Sequence, residues 1–165
     1  MKNKQNPESR GRIFRSWFNV LVLACGLAVC GGVMQVMPTT AANPPIGISD
    51  VAKLEPNINA GIKLLKYIRD DYFRDDSMDP LNKTLITLAA YNAGPARLKQ
   101  CRRLAADMGL NPNLWFHNVE YAVAKKVGRE TVGHVGNIYK YYVGWELMAE
   151  RKAARARAKQ WAVKQ

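Results

Sequence analysis

Histidine is nearly absent from this chain: only His117 and His134 occur. The three cysteines, Cys25, Cys30 and Cys101, are odd in number and show no C-x-x-C spacing. That usage supplies neither a disulfide framework nor a zinc site, so no metal and no cofactor is expected. No run of alternating β-branched residues is long enough for a central strand, which argues against a sheet. Long apolar runs are also missing, with one exception, VLVLACGLAVC at 20–30. It is shorter than the roughly 20 apolar residues of a membrane span. Acidic residues are scarce at the ends. Residues 1–18 carry five Lys/Arg against one Glu, and 149–165 carry six against one. Most of the net +12 therefore sits at the termini, and the body is close to balanced.

What is present fits one domain of 165 residues with a real core. Its 48% hydrophobic content is not a disordered composition. A basic N-terminus, an apolar dozen and then small residues (GG, then VMQVMP) have the shape of a secretory signal. Val22-Leu23-Ala24-Cys25 also loosely matches a lipoprotein box. The segment 17–31 is thus expected to be an export or membrane-attachment element, and the alternative is a buried core helix. Basic ends beside an apolar segment suit anionic lipid first, then an anionic polymer, then nucleic acid; plain solvation of both ends is the alternative. The tail has one aromatic, Trp161, and no recognition motif, so no nucleic acid is expected.

After residue 50 the chain reads as helix throughout. In 57–73, Ile58, Ile62, Leu65 and Tyr72 recur at helical spacing. In 78–95, Asp79 is an N-cap, Pro80 the first helical residue and Gly94 a left-handed stop. Further helices are expected over 96–109 and, after the Asn-Pro-Asn turn at 111–113, over 114–128. A last one runs from 128 into the basic tail. The fold class is all-α, a set of short helices joined at glycine and proline stops.

The helix 78–95 ends on Tyr91-Asn92 before its glycine. A tyrosine offers an aromatic face and a hydroxyl, and an asparagine offers two donors and an acceptor. Sugars need that combination, stacking their C–H faces and hydrogen-bonding their hydroxyls. A core tyrosine with a capping asparagine would read the same way. Two other stretches tip the balance. GVMQVMPTTAAN (32–43) sets Met34, Gln35 and Met37 beside a proline and a helix start. GRETVGHVGNIYKYY (128–142) puts Glu130, small residues and three tyrosines on one helix.

In chain order, these motifs run G-x-M-Q-x-M-P-x-T-A, N-I-x-A-G-x-x-L-L, A-A-Y-N-A-G-P and E-T-x-x-x-V-x-x-I. Together they resemble the lysozyme-like domain of the soluble lytic transglycosylases, which cleave bacterial peptidoglycan. NPNLWFHNVEYAVAKKVGRETVGHVGNIYKYYV is further similar to the catalytic domain of membrane-bound lytic transglycosylases of the F type. The resemblance covers about residues 32–146. It implies cleavage of the β-1,4 bond between N-acetylmuramic acid and N-acetylglucosamine without water, closing a 1,6-anhydro ring on the muramic acid. One glutamic acid serves as acid and then base. The pair of carboxylates usual in glycosidases is not required. By resemblance, Met34 and Gln35 line the groove near the scissile bond, and Tyr91 and Asn92 contact the glycan. Glu130 supports the site. His134 stands where the family usually has tyrosine, which alters one wall contact. The expected division is 1–31, a basic and apolar leader or anchor; 32–148, the transglycosylase domain; and 149–165, a basic helical tail. The expected partner is the glycan strand, in the bacterial cell envelope, periplasmic or membrane-associated.

The family's acid is followed by serine and lies about eighteen residues before the glutamine of the M-Q motif. Here that position is Trp17. Arg15-Ser16-Trp17-Phe18-Asn19 resembles the family's Glu-Ser-x-Phe-Asn with arginine for the acid. Arginine cannot act as a general acid near neutral pH, since its pKa stays above about 12. Glu8-Ser9 is the only Glu-Ser pair. Three explanations compete: a family member with a truncated or altered N-terminal lobe, a non-catalytic glycan-binding relative, or an enzyme whose acid is Glu8.

Overall fold

Every regular element among the described residues is helical, and no strand occurs among them. The computed structural model describes residues 32–74 and 77–163. Glu8, the segment 17–31, Cys25 and Cys30 lie outside the described residues. The chain divides into two compact units between Tyr67 and Ile68.

In the first unit, the turn Gly32–Gln35 leads into α1 (Pro38–Ala42), and a loop then leads to α2 (Leu54–Tyr67). Proline stands at the first position of α1, where no intrahelical N–H is needed. The loop is pinned by Ile48 N–H donating to the Ala41 carbonyl at 2.8 Å. Val36, Ala41, Ile46, Val51 and Ala60 are buried. The apolar spacing in the sequence pointed to Ile58 and Ile62, but these are 36% and 56% exposed. The face that α2 buries is Asn57, Ala60 and Gly61. At Gly61 a side chain has no room, because its Cβ would fall 2.6 Å from the Met34 side chain.

The second unit opens with a π turn, Ile68–Tyr72, followed by buried Phe73. Helix α3 (Pro80–Ala93) begins as expected: Asp79 accepts from the backbone N–H groups of Leu81 and Asn82, both at 3.0 Å. Its buried face is Leu85, Ile86, Ala89 and Ala90. Gly94 stops it with a positive φ of 94°, but ψ is 135°, extended rather than left-handed helical. Pro95 is the reason, because its ring pushes the preceding residue out of helical ψ. Helix α4 (Pro95–Asp107) starts at once and buries Leu98, Cys101 and Ala105. It ends at Gly109 in a Schellman pair, Leu110 N–H to Ala105 O and Gly109 N–H to Ala106 O, both 2.9 Å.

The sequence read 114–128 as one helix, whereas the structure breaks it. Leu114 is extended, Phe116 has ψ 132° and His117 has φ 59° before α5 (Glu120–Lys126) begins. Side chains compete with the helix ladder here: Glu120 Oε1 accepts His117 N–H at 2.7 Å, and Asn118 Nδ2 donates to Phe116 O at 2.9 Å. Trp115 is buried, its backbone N–H given to Asn82 Oδ1 on α3 at 2.7 Å. Helix α6 (Arg129–Val163) packs its first turns on α3 and α5 through buried Thr131 and Val135. From Lys140 to Gln160 it is exposed, apart from half-buried Glu146. It runs unbroken past residue 148.

Candidate functional site

In the first unit, Met34 and Gln35 sit in a hydrogen-bonded turn, Gln35 N–H to Gly32 O at 3.1 Å. Gln35 has φ 51°, a left-handed conformation that costs a non-glycine residue about 1 kcal/mol. Its side chain is exposed, and Met34 is half-buried. Two residues of α2 hold that turn. Fully buried Asn57 accepts the Met34 N–H on Oδ1 at 2.8 Å and donates from Nδ2 to Val51 O at 3.0 Å. Gly32 has φ 75°, and a Cβ on it would fall 2.6 Å from Asn57 Cγ. One turn along α2, a Cβ on Gly61 would fall 2.6 Å from Met34 Cε. The N-I-x-A-G motif is therefore the seat of the M-Q motif. The sequence reading quoted Asn57 and Gly61 within that motif without assigning them a role.

In the second unit, Tyr91 is half-buried and Asn92 exposed, in the last turn of α3. Asn92 is not a cap. The helix end is closed by Gly94 N–H to Ala90 O, at 2.8 Å. The Asn92 amide oxygen instead accepts from Thr131 Oγ1 at 2.8 Å, and Thr131 is 4% exposed. Thr131 is the threonine of the E-T motif, so two motifs distant in sequence meet in one hydrogen bond. Glu130 and His134 flank it on α6, both exposed. Glu130 lies in the first turn, where the helix dipole favours a carboxylate. Thr131 is the residue sequence reasoning passed over; its place directly after Glu130 was the available signal.

A glycosidic general acid needs an apolar pocket to hold its proton. Among the described residues the buried polar or charged ones are Asn57, Thr87 and Thr131, so no carboxylate is buried among them. Glu120, with a side chain 16% exposed, is engaged with the His117 backbone. Burial pushes the Cys101 thiol up, which makes it a packing group on α4 rather than a nucleophile. Among the described residues no group of three His, Cys, Asp or Glu could hold a metal ion, and no helix is long and apolar enough to cross a membrane.

Residues 24–111, just over half the chain, match the family described as the transglycosylase SLT domain. The match contains Met34, Gln35, Asn57, Gly61, Tyr91 and Asn92 and ends before Glu130 and His134. The chain is 29% identical over 137 residues to the membrane-bound lytic murein transglycosylase F of Desulfosudis oleivorans, covering 74% of this chain and 28% of that protein. It is 32% identical over 126 residues to that of Pseudomonas fluorescens Pf-5, covering 67% and 25%. For Pseudomonas putida GB-1 the identity is 31% over the same length and shares. The chain thus spans about a quarter of the length of these relatives. With the four motifs in order and an all-α fold, the chain belongs to the transglycosylase SLT domain family, with the lysozyme-like helical fold of that family.

Proposed function

We propose that this chain acts on bacterial peptidoglycan as a lytic transglycosylase, cleaving the β-1,4 bond between N-acetylmuramic acid and N-acetylglucosamine without water. One observation carries the glycan reading: the Thr131–Asn92 hydrogen bond, which holds the Asn92 amide, next to Tyr91, in a defined orientation. Tyr91 supplies a face for the sugar C–H groups, and the Asn92 amide nitrogens supply donors for its hydroxyls. Met34 and Gln35 of the first unit, and Glu130 and His134 of the second, are the other proposed sugar contacts. The chemistry requires a neutral carboxyl that protonates the leaving glycosidic oxygen. The resulting carboxylate takes the proton of the muramic C6 hydroxyl. That oxygen bonds to C1, closing the 1,6-anhydro ring and leaving the catalyst in its starting state. Glu8 is the candidate for that carboxyl. The cell envelope is the proposed location, periplasmic or membrane-associated, with 17–31 as the attachment segment; the relatives' printed names support it.

A second reading is favoured by one observation, that no described carboxylate is buried. In it the chain binds glycan strands without turning them over. Digestion of purified peptidoglycan, followed by mass spectrometry for 1,6-anhydromuramic products, separates the two. Products that vanish in Glu8→Gln support the enzyme with Glu8 as its acid. Products that survive that change remove Glu8 from the mechanism. No products, with the chain still sedimenting with the polymer, establishes the binding module.

A further inference from the structure

Beyond its first three turns, α6 carries a stripe that neither reading above uses. Tyr141, Trp145, Met148, Lys152, Arg155 and Lys159 follow one another at intervals of four, three, four, three and four residues, which keeps them on one side of a helix. The first three are 72%, 66% and 71% exposed, and the last three are exposed as well. At roughly 100° per residue, the acids Glu146 and Glu150 fall on the far side. The stripe is therefore apolar at its start, cationic at its end and free of acid along about 27 Å of helix. Trp and Tyr are the side chains that settle at a lipid headgroup boundary, and Met adds a flexible apolar contact.

We propose that this face of α6 docks on an anionic lipid surface, with Tyr141, Trp145 and Met148 entering the headgroup boundary and Lys152, Arg155 and Lys159 pairing with lipid phosphates. Charge complementarity selects this occupant. A second copy of the chain in parallel would set the three cations against themselves. A nucleic acid would leave Met148 without a use. Arg151 adds charge beside the stripe, so the helix lies on the bilayer rather than through it. The docking is independent of 17–31 and holds under either reading of the glycan site.

The test is sedimentation of the full chain with vesicles of phosphatidylcholine alone, or of phosphatidylcholine with phosphatidylglycerol. Two variants are compared with it: Lys152→Glu/Arg155→Glu/Lys159→Glu, and Trp145→Ala/Met148→Ala. All five positions are exposed, and circular dichroism confirms that helix content is kept. The expected result is a preference for phosphatidylglycerol vesicles that falls at least about tenfold in the charge-reversed variant. The apolar variant weakens binding several-fold at constant salt. A preference unchanged in the charge-reversed variant assigns lipid binding to residues 1–31 and overturns the proposal. So does a chain that prefers single-stranded DNA to the vesicles at equal phosphate. Self-association of the chain with no lipid preference overturns it as well.

Discussion

The side-chain oxygen of Asn57 accepts the backbone N–H of Met34 at 2.8 Å, and its amide nitrogen donates to the Val51 carbonyl at 3.0 Å, from a fully buried position. One side chain thereby ties the turn that presents Gln35 to the entry of α2. Asn57→Ala leaves both backbone groups without their partner and should lower stability by about 1–3 kcal/mol in denaturant unfolding. Asn57→Asp keeps the acceptor for Met34 but turns an oxygen toward the Val51 carbonyl, so it should not restore the loss.

Gly61→Ala sets two effects against each other. Alanine favours a helix interior by about 1 kcal/mol. Its Cβ would also stand 2.6 Å from Met34 Cε and 2.7 Å from Met34 Cβ, and overpacking of that kind costs about 1–3 kcal/mol. The clash should win, with a lower melting temperature and weaker sedimentation with insoluble peptidoglycan. In a Met34→Gly background the same change should cost less, because the Cβ, Cγ and Cε that it strikes are gone.

Thr131→Val keeps the shape and removes the hydroxyl that orients Asn92. Asn92 is exposed and can turn to water, so the stability loss should stay near the low end of about 0.5–1.5 kcal/mol. Peptidoglycan binding should fall by more than that loss explains, and Asn92→Ala should add little to it. Full additivity of the two changes in binding would mean that Thr131 does not position Asn92.

Asp79 gives a pH dependence. Hydrogen bonds from the Asn82 side chain and backbone and from Leu81 N–H hold its carboxyl below the usual carboxylate range. A depressed folded pKa means that this stabilisation is present above the ordinary carboxylate pKa and is lost as pH falls through the depressed one. Asp79→Asn should retain most of the cap while flattening the acid limb of the stability profile. Asp79→Ala should lower the melting temperature at neutral pH. An acid limb identical in Asp79→Asn and the parent chain would remove Asp79 from it.

Much of the second unit was legible because its signals are local. Asp79-Pro80, Gly94-Pro95 and Gly109 act on their own backbone, so they mark where α3 and α4 begin and end. Where the competing interactions were side chain to backbone, periodicity misled. The 114–128 stretch keeps an apolar pattern, yet Glu120 and Asn118 take backbone groups that a continuous helix would need. In α2 the apolar stripe pointed to Ile58 and Ile62, while the buried face was set by how closely another segment approaches. Hydropathy carries no information on that distance.

By itself the sequence determined the helical class, the caps and stops, and, through four motifs in order, the family. Each rests on residue type and spacing along the chain. Only the tertiary structure decided what the motifs do to one another: that Asn57 and Gly61 seat Met34, and that Thr131 rather than Glu130 engages Asn92. Those relationships join residues 23 to 39 positions apart. A hydrogen bond is defined by distance and angle in space, and neither is set until the helices have packed.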